Sequence, residues 1–198
     1  MKKFELTTKF ITNVAGKKLF RIKALVEFGN VKAGELGGYV EKEGNISQDG
    51  NAWVSGNAWV AGNATVSGNA WVSGNATVSG NATVSGNAWV TDNTEVSGNA
   101  TVSGNATVSG NATVSGNAEV SGNTDYALAQ GFGTEFRCTT FYRGKNKKIM
   151  VNCGCFHGDL EEFRKQVKET RSGKIAKEYL MIADLMEYHF ASEDSDDE

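Results

Sequence analysis

Valine recurs at every sixth position through the middle of the chain, at 54, 60, 66, 72, 78, 84, 90, 96, 102, 108, 114 and 120, and Tyr126 follows in step. A small residue stands two places before each of them: Ala52, Ala58, Ala64 and onward, with Thr94 and Thr124 in the same slot. On a helix a six-residue step advances about 600° and scatters the valines around the axis, and glycine at this density opposes a helix in any case. On an extended backbone Ala-x-Val alternates in, out, in. The Gly-Asn that follows is a corner where left-handed backbone costs little. Each of thirteen Ser-Gly-Asn-Ala-x-Val hexads from Asp49 onward therefore predicts one short strand and one corner.

Three such units closing a triangle make an 18-residue coil, and stacked coils make a solenoid with a parallel sheet on each of three faces. The outward x positions check this register. Trp53, Trp71 and Trp89 are spaced by 18 and 18, so they share a face. Trp59 starts the next face with Thr77, Glu95 and Thr113, and Thr65, Thr83, Thr101 and Glu119 form the third. The hexad Val54-Ser55-Gly56-Asn57-Ala58-Trp59, aliphatic first and small four places later, resembles the hexapeptide-repeat left-handed parallel β-helix. The left hand is implied by that resemblance, because strand crossovers otherwise favour the right. The resemblance also implies packing as trimers.

The flanks carry other periods. Phe4, Leu6, Thr8 and Phe10, then Phe20, Ile22, Ala24, Val26 and Phe28, alternate around Asn13-Val14-Ala15-Gly16 and predict a β-hairpin. Solenoid ends expose core and unpaired edges, so this hairpin is expected to cap the first coil, with Ile46 in the small-residue slot before Ala52. Leu19-Phe20-Arg21-Ile22-Lys23-Ala24-Leu25 and Gly29-Asn30-Val31-Lys32-Ala33-Gly34-Glu35-Leu36-Gly37-Gly38-Tyr39 resemble the opening of small phage and prophage hexapeptide-repeat proteins, which implies an origin and no reaction. No GxGxxG or GK[ST] supports a nucleotide fold. Beyond the repeat, Glu135 to Arg143 and Lys147 to Cys153 predict two strands around Gly144-Lys145-Asn146. Asp159 with Glu162 forms a capping box for a helix striped by Leu160, Phe163 and Val167. Ser172-Gly173 ends that helix, and a second runs from about Lys174 to Phe190 with Ile175, Tyr179, Ile182 and Met186 on one side.

The expected organisation is mainly β: an N-terminal hairpin cap over 1–43, a left-handed parallel β-helix over 44–125, a small α+β (ββαα) domain over 126–191, and an acidic, disordered tail over 192–198. The ββαα domain is expected to dock on the last coil as its second cap.

Charge follows the same partition. The 198 residues carry 20 basic and 23 acidic side chains, yet 51–123 contains no Lys, Arg or His. A nucleic-acid groove needs cations to displace phosphate counterions, so the repeat is not one. No apolar run reaches the ~20 residues of a membrane helix, and no signal peptide is read at the start. Three cysteines make no disulfide framework and fit a reducing cytosol. A cytoplasmic protein, in a host cytoplasm if phage-encoded, is the expectation.

Candidate chemistry is sparse. A column of Trp53, Trp71 and Trp89 exposed on one face reads first as a self-association surface, then as a site for a partner or ligand with flat rings or sugars, and last as plain sheet covering; Trp59 stands on the neighbouring face. Arg137, Arg143, Lys145, Lys147 and Lys148 interleave with Phe136, Phe141 and Tyr142, the one place where a nucleotide or nucleic acid could dock. Charged hairpins also protect sheet edges, and this reading ranks lower. Cys138, Cys153, Cys155 and His157 offer a Cys₃His zinc set, but CxC on a strand spaces the Cβ atoms ~6–7 Å apart, so the cysteines read as small core residues. Hexapeptide acyltransferases act through a histidine base and a projecting loop, and the repeat has neither. The sequence therefore reads as a cofactor-free, non-enzymatic binding or assembly protein. A homo-oligomer is expected, and for a phage-borne chain a host partner, one of antiviral defence included.

Overall fold

The computed structural model describes residues 2–191, so the expected acidic tail at 192–198 lies outside the described residues. The chain divides into two compact units, Met1–Asn123 and Thr124–Glu198. In the first, β1 (Phe4–Thr12) and β2 (Lys18–Ala24) form the hairpin, turned at Asn13, whose Oδ1 accepts from the Ala15 and Lys17 amides. β3 (Leu36–Val40) runs antiparallel to β2 and parallel to the solenoid strand at Trp59–Val60, so hairpin and solenoid share one seven-stranded sheet.

Twelve two-residue strands then rotate through three faces. One face stacks β4 (Trp53–Val54), β7 (Trp71–Val72), β10 (Trp89–Val90) and β13 (Thr107–Val108). The next stacks β5 (Trp59–Val60), β8 (Thr77–Val78), β11 (Glu95–Val96) and β14 (Thr113–Val114), and the third β6 (Thr65–Val66), β9 (Thr83–Val84), β12 (Thr101–Val102) and β15 (Glu119–Val120). Partners lie 18 residues apart in register, as with Trp53 on Trp71 and Val54 on Val72. Every repeat valine is fully buried, and so are nearly all the alanines two places before them. From Asn51 to Asn99 each corner Asn carboxamide donates to the Asn one coil on, as from Asn69 to Asn87 at 3.0 Å.

Corners need left-handed backbone against a close neighbour. A Cβ on Gly86 (φ +67°) would stand 2.8 Å from the Gly104 nitrogen. The one hexad without glycine there has Asp92 at φ 60°, and its Oδ2 accepts from the Gly110 amide at 2.9 Å. Asp belongs to the short polar residues that tolerate this region. Thr94, in an alanine slot, is buried and reaches the Val108 carbonyl through its hydroxyl.

Two expectations for the head are corrected. Ile46 bridges Val66, so it fills a valine slot and not a small-residue slot. Tyr39↔Trp59 and Val40↔Val60 pair with the same 20-residue offset, which makes Gly38-Tyr39-Val40 a first hexad strand. Gln48 and Asp49 are two extra residues in the corner that follows, and they break the six-residue count. The second correction is Trp53. It points away from the solenoid interior but is 0% exposed, because Phe4 and Phe28 meet its ring edge-on at 6.4 and 5.4 Å between centroids.

The second unit is an antiparallel sheet of β16 (Tyr126–Phe132), β17 (Arg137–Arg143), β18 (Ile149–Cys153) and β19 (Phe156–Asp159), followed by α1 (Leu160–Thr170) and α2 (Gly173–Phe190). The order is ββββαα, not the expected ββαα. Tyr126 keeps the six-residue step of the repeat but opens β16, whose small Ala127 and Ala129 give a weak alternation. Gly154 at φ +62° allows a two-residue reversal between Cys153 and Phe156, which makes β19 out of what reads as the approach to α1. The capping box forms as expected: Glu162 N donates to Asp159 Oδ1 and Asp159 N to Glu162 Oε2. Phe141, Val151, Leu160, Phe163, Val167, Ile182, Ala183, Met186 and Phe190 form the core.

Candidate functional site

Where the head does not cover it, the tryptophan face of the solenoid is open. Trp71 is half-buried and its Nε1–H donates to Ser55 Oγ at 3.1 Å, which fixes the ring along the sheet. Trp89, one rung further, is 54% exposed, and Thr107 follows it. Adjacent rungs of a β-ladder lie ~4.8 Å apart, so the two indoles form one patch on a backbone fixed by hydrogen bonds above and below. The expected column of three is thus a pair, Trp71 and Trp89, with Trp53 withdrawn beneath the hairpin. Trp59, half-buried, stands beside Tyr39 on the seven-stranded sheet.

The first coil is closed by side chains whose role was not legible in the sequence. Each rung's carbonyls accept from amides one coil earlier, as Gly68 O does from Asn51 N and Ala70 O from Trp53 N. Gly50 O and Ala52 O lack such a coil, and Lys3 Nζ donates to both, at 3.2 and 3.0 Å. Lys3 is 3% exposed and lies over the Phe28 ring; burial lowers its pKa to about 8, with Asp49 pulling the other way. Buried Asn45 does the same at another corner, donating to Gly62 O and Ala64 O. Gln48 Oε1 accepts from the Lys3 and Phe4 amides and anchors the hairpin. Glu41 accepts from Lys17 and from the Gly62 amide, and both hold its carboxyl below the usual range.

In the second unit Arg143, Lys145, Lys147 and Lys148 stand at the turn between β17 and β18, and Arg137 is apart from them. Arg137 and Arg143 stand at opposite ends of β17, ~20 Å apart along a strand of this length. Arg143 is structural: it pairs with Asp125 at 3.1 Å and donates to the Phe190 carbonyl at 2.8 Å. Lys148 pairs with Asp159, which leaves Lys145 and Lys147 as exposed cations of the turn. The expected basic cluster is corrected to these two. The suggested zinc set is not assembled either. Cys153 faces the helices and accepts from Thr139 Oγ1, Cys155 is exposed in the turn, and burial pushes the Cys138 thiol up. Among the described residues no three His, Cys, Asp or Glu side chains stand together as a metal site. Nor is any described helix long and apolar enough to cross a membrane.

Parallel ladders on three faces, eighteen residues per turn and a valine-alanine interior decide what the middle of the chain is. It is a β-solenoid. Residues 60–74, 70–86, 76–92, 96–110 and 108–122 match the family described as YdcK Beta solenoid repeat. All five matches lie inside the repeat, so they speak for the solenoid and for neither flank. No curated protein matches the chain.

Proposed function

We propose that this β-solenoid is a non-enzymatic assembly scaffold that associates with copies of itself through the Trp71–Trp89 face. The observation that carries the reading is Trp89, a 54% exposed indole on an otherwise small and polar surface, beside a second indole held flat by Ser55. Exposed apolar patches on rigid surfaces mark interfaces, and aromatic rings dominate interface energetics. Each indole withdrawn from water contributes on the scale of ~25 cal/mol per Å². Three copies around the solenoid axis direction would agree with the resemblance to hexapeptide-repeat proteins. The likeness of the head to phage proteins extends the reading to a host protein as another occupant of that face. Acyl transfer is the competing reading, and a repeat without histidine gives it no base.

The test is a Trp71→Thr/Trp89→Thr variant. Threonine already occupies the x position on several rungs, so the coil should persist. The reading expects a smaller sedimenting species with an unchanged β-sheet circular dichroism spectrum. An unchanged mass in a folded variant contradicts it, as does acyl-CoA turnover by the purified chain.

A further inference from the structure

The arginines of the second unit fall into two classes. Arg143 is fully engaged, and Arg164 pairs with Glu161, Asp184 and Glu187. Arg137 and Arg171 enter no ion pair among the described residues; Arg171 reaches only the neighbouring Thr170 carbonyl, at 3.2 Å. Both line one cleft of about 80 Å³, together with Tyr179, Gln166 and the rings of Phe156 and Phe163. That is room for roughly half a dozen waters.

The cleft is held in shape by glycines. The Tyr179 hydroxyl is seated on Gly133 (φ +71°) and Arg137 Nη1 on Gly154 (φ +62°), each so close that a Cβ could not be added without displacing it. Tyr179 donates to the Phe132 carbonyl and packs edge-on against Phe163 at 5.9 Å. Burial and the neighbouring Cys153 thiol raise the Tyr179 pKa, with Arg171 and Arg137 pulling more weakly the other way. Glu135, the one carboxylate of the lining, pairs with neither. Two guanidiniums without an ion pair among the described residues thus line one cleft with a phenol and two aromatic rings, groups that suit a bound oxyanion: guanidinium forks address phosphate and carboxylate oxygens in pairs.

We propose that this cleft binds the oxyanion end of a small molecule, a phosphoryl or carboxylate group, between Arg137 and Arg171, with any attached ring on Phe156 and Phe163. The site does not depend on the solenoid's assembly.

The full chain, in phosphate-free buffer, is titrated with phenyl phosphate, inorganic phosphate and benzoate by calorimetry, with the Gly133 and Gly154 amides followed by NMR. Saturable millimolar or tighter binding of one of them, shifting both amides, is expected, and the tightest of the three identifies the oxyanion and the use of the ring. Arg137→Gln and Arg171→Gln should each weaken it about tenfold, the scale of one charge-assisted hydrogen bond. Lys145→Gln, equal in charge change and in the opposite turn, should not. No saturable binding by the unmodified chain overturns the proposal, as do shifts confined to other amides or an equal loss in Lys145→Gln.

Discussion

Lys3 and Asn45 serve one purpose at two corners: each places a single side-chain nitrogen between two carbonyls of the solenoid, Gly50 and Ala52 for Lys3, Gly62 and Ala64 for Asn45. Gly50 and Ala52 have no earlier coil to donate to them, and at Gly62 and Ala64 the earlier coil turns its Asn45 amide to Lys42 O, so the side chain supplies the donors instead. The third face is closed by backbone, with Tyr39 N donating to Ala58 O and Glu41 N to Val60 O. The N-terminal end of the solenoid is thus finished by hydrogen bonds and not merely covered.

Asn45→Ala removes two donors from buried carbonyls and the Oδ1 acceptor of the Lys42 amide. A destabilisation of about 2–3 kcal/mol in denaturant unfolding is expected. Asn45→Asp should be at least as damaging, since it sets a carboxylate against the same two oxygens.

The buried Lys3 ammonium makes stability depend on pH in a definite direction. Folded, the group loses its proton from about 8; unfolded, it keeps it to the usual 10.5. Between these values the unfolded chain binds the proton more tightly, so this group adds stability as pH rises, up to about 3 kcal/mol. Lys3→Met should flatten that segment of the stability–pH curve.

Trp53 and Trp89 occupy equivalent rungs with opposite consequences. Trp53→Ala should cost about 3–5 kcal/mol, because it empties the space between Phe4, Phe28 and the sheet. Trp89→Thr, at an exposed site, should stay within about 0.5 kcal/mol of the parent in monomer stability. Equal losses would mean the two rings share one environment.

The strand-and-corner unit was legible from the strict step of six, and the tryptophan spacing of 18 gave three units per turn from outward residues alone. What escaped was long-range. Trp53 fits the same template as Trp89, and only the hairpin's path across that rung separates them. The first hexad strand hid because Gln48 and Asp49 displace it by two residues, although Gly38-Tyr39-Val40 keeps the small-x-Val signature. The Arg137–Arg171 cleft joins a strand to a helix end, a pairing that no local pattern encodes.

The solution mass of the unmodified chain tests the assembly reading most directly. Light scattering across a concentration series should give a defined multiple of 21.2 kDa that falls toward the monomer on dilution or with Trp89→Thr. A mass of one chain at every concentration would contradict it.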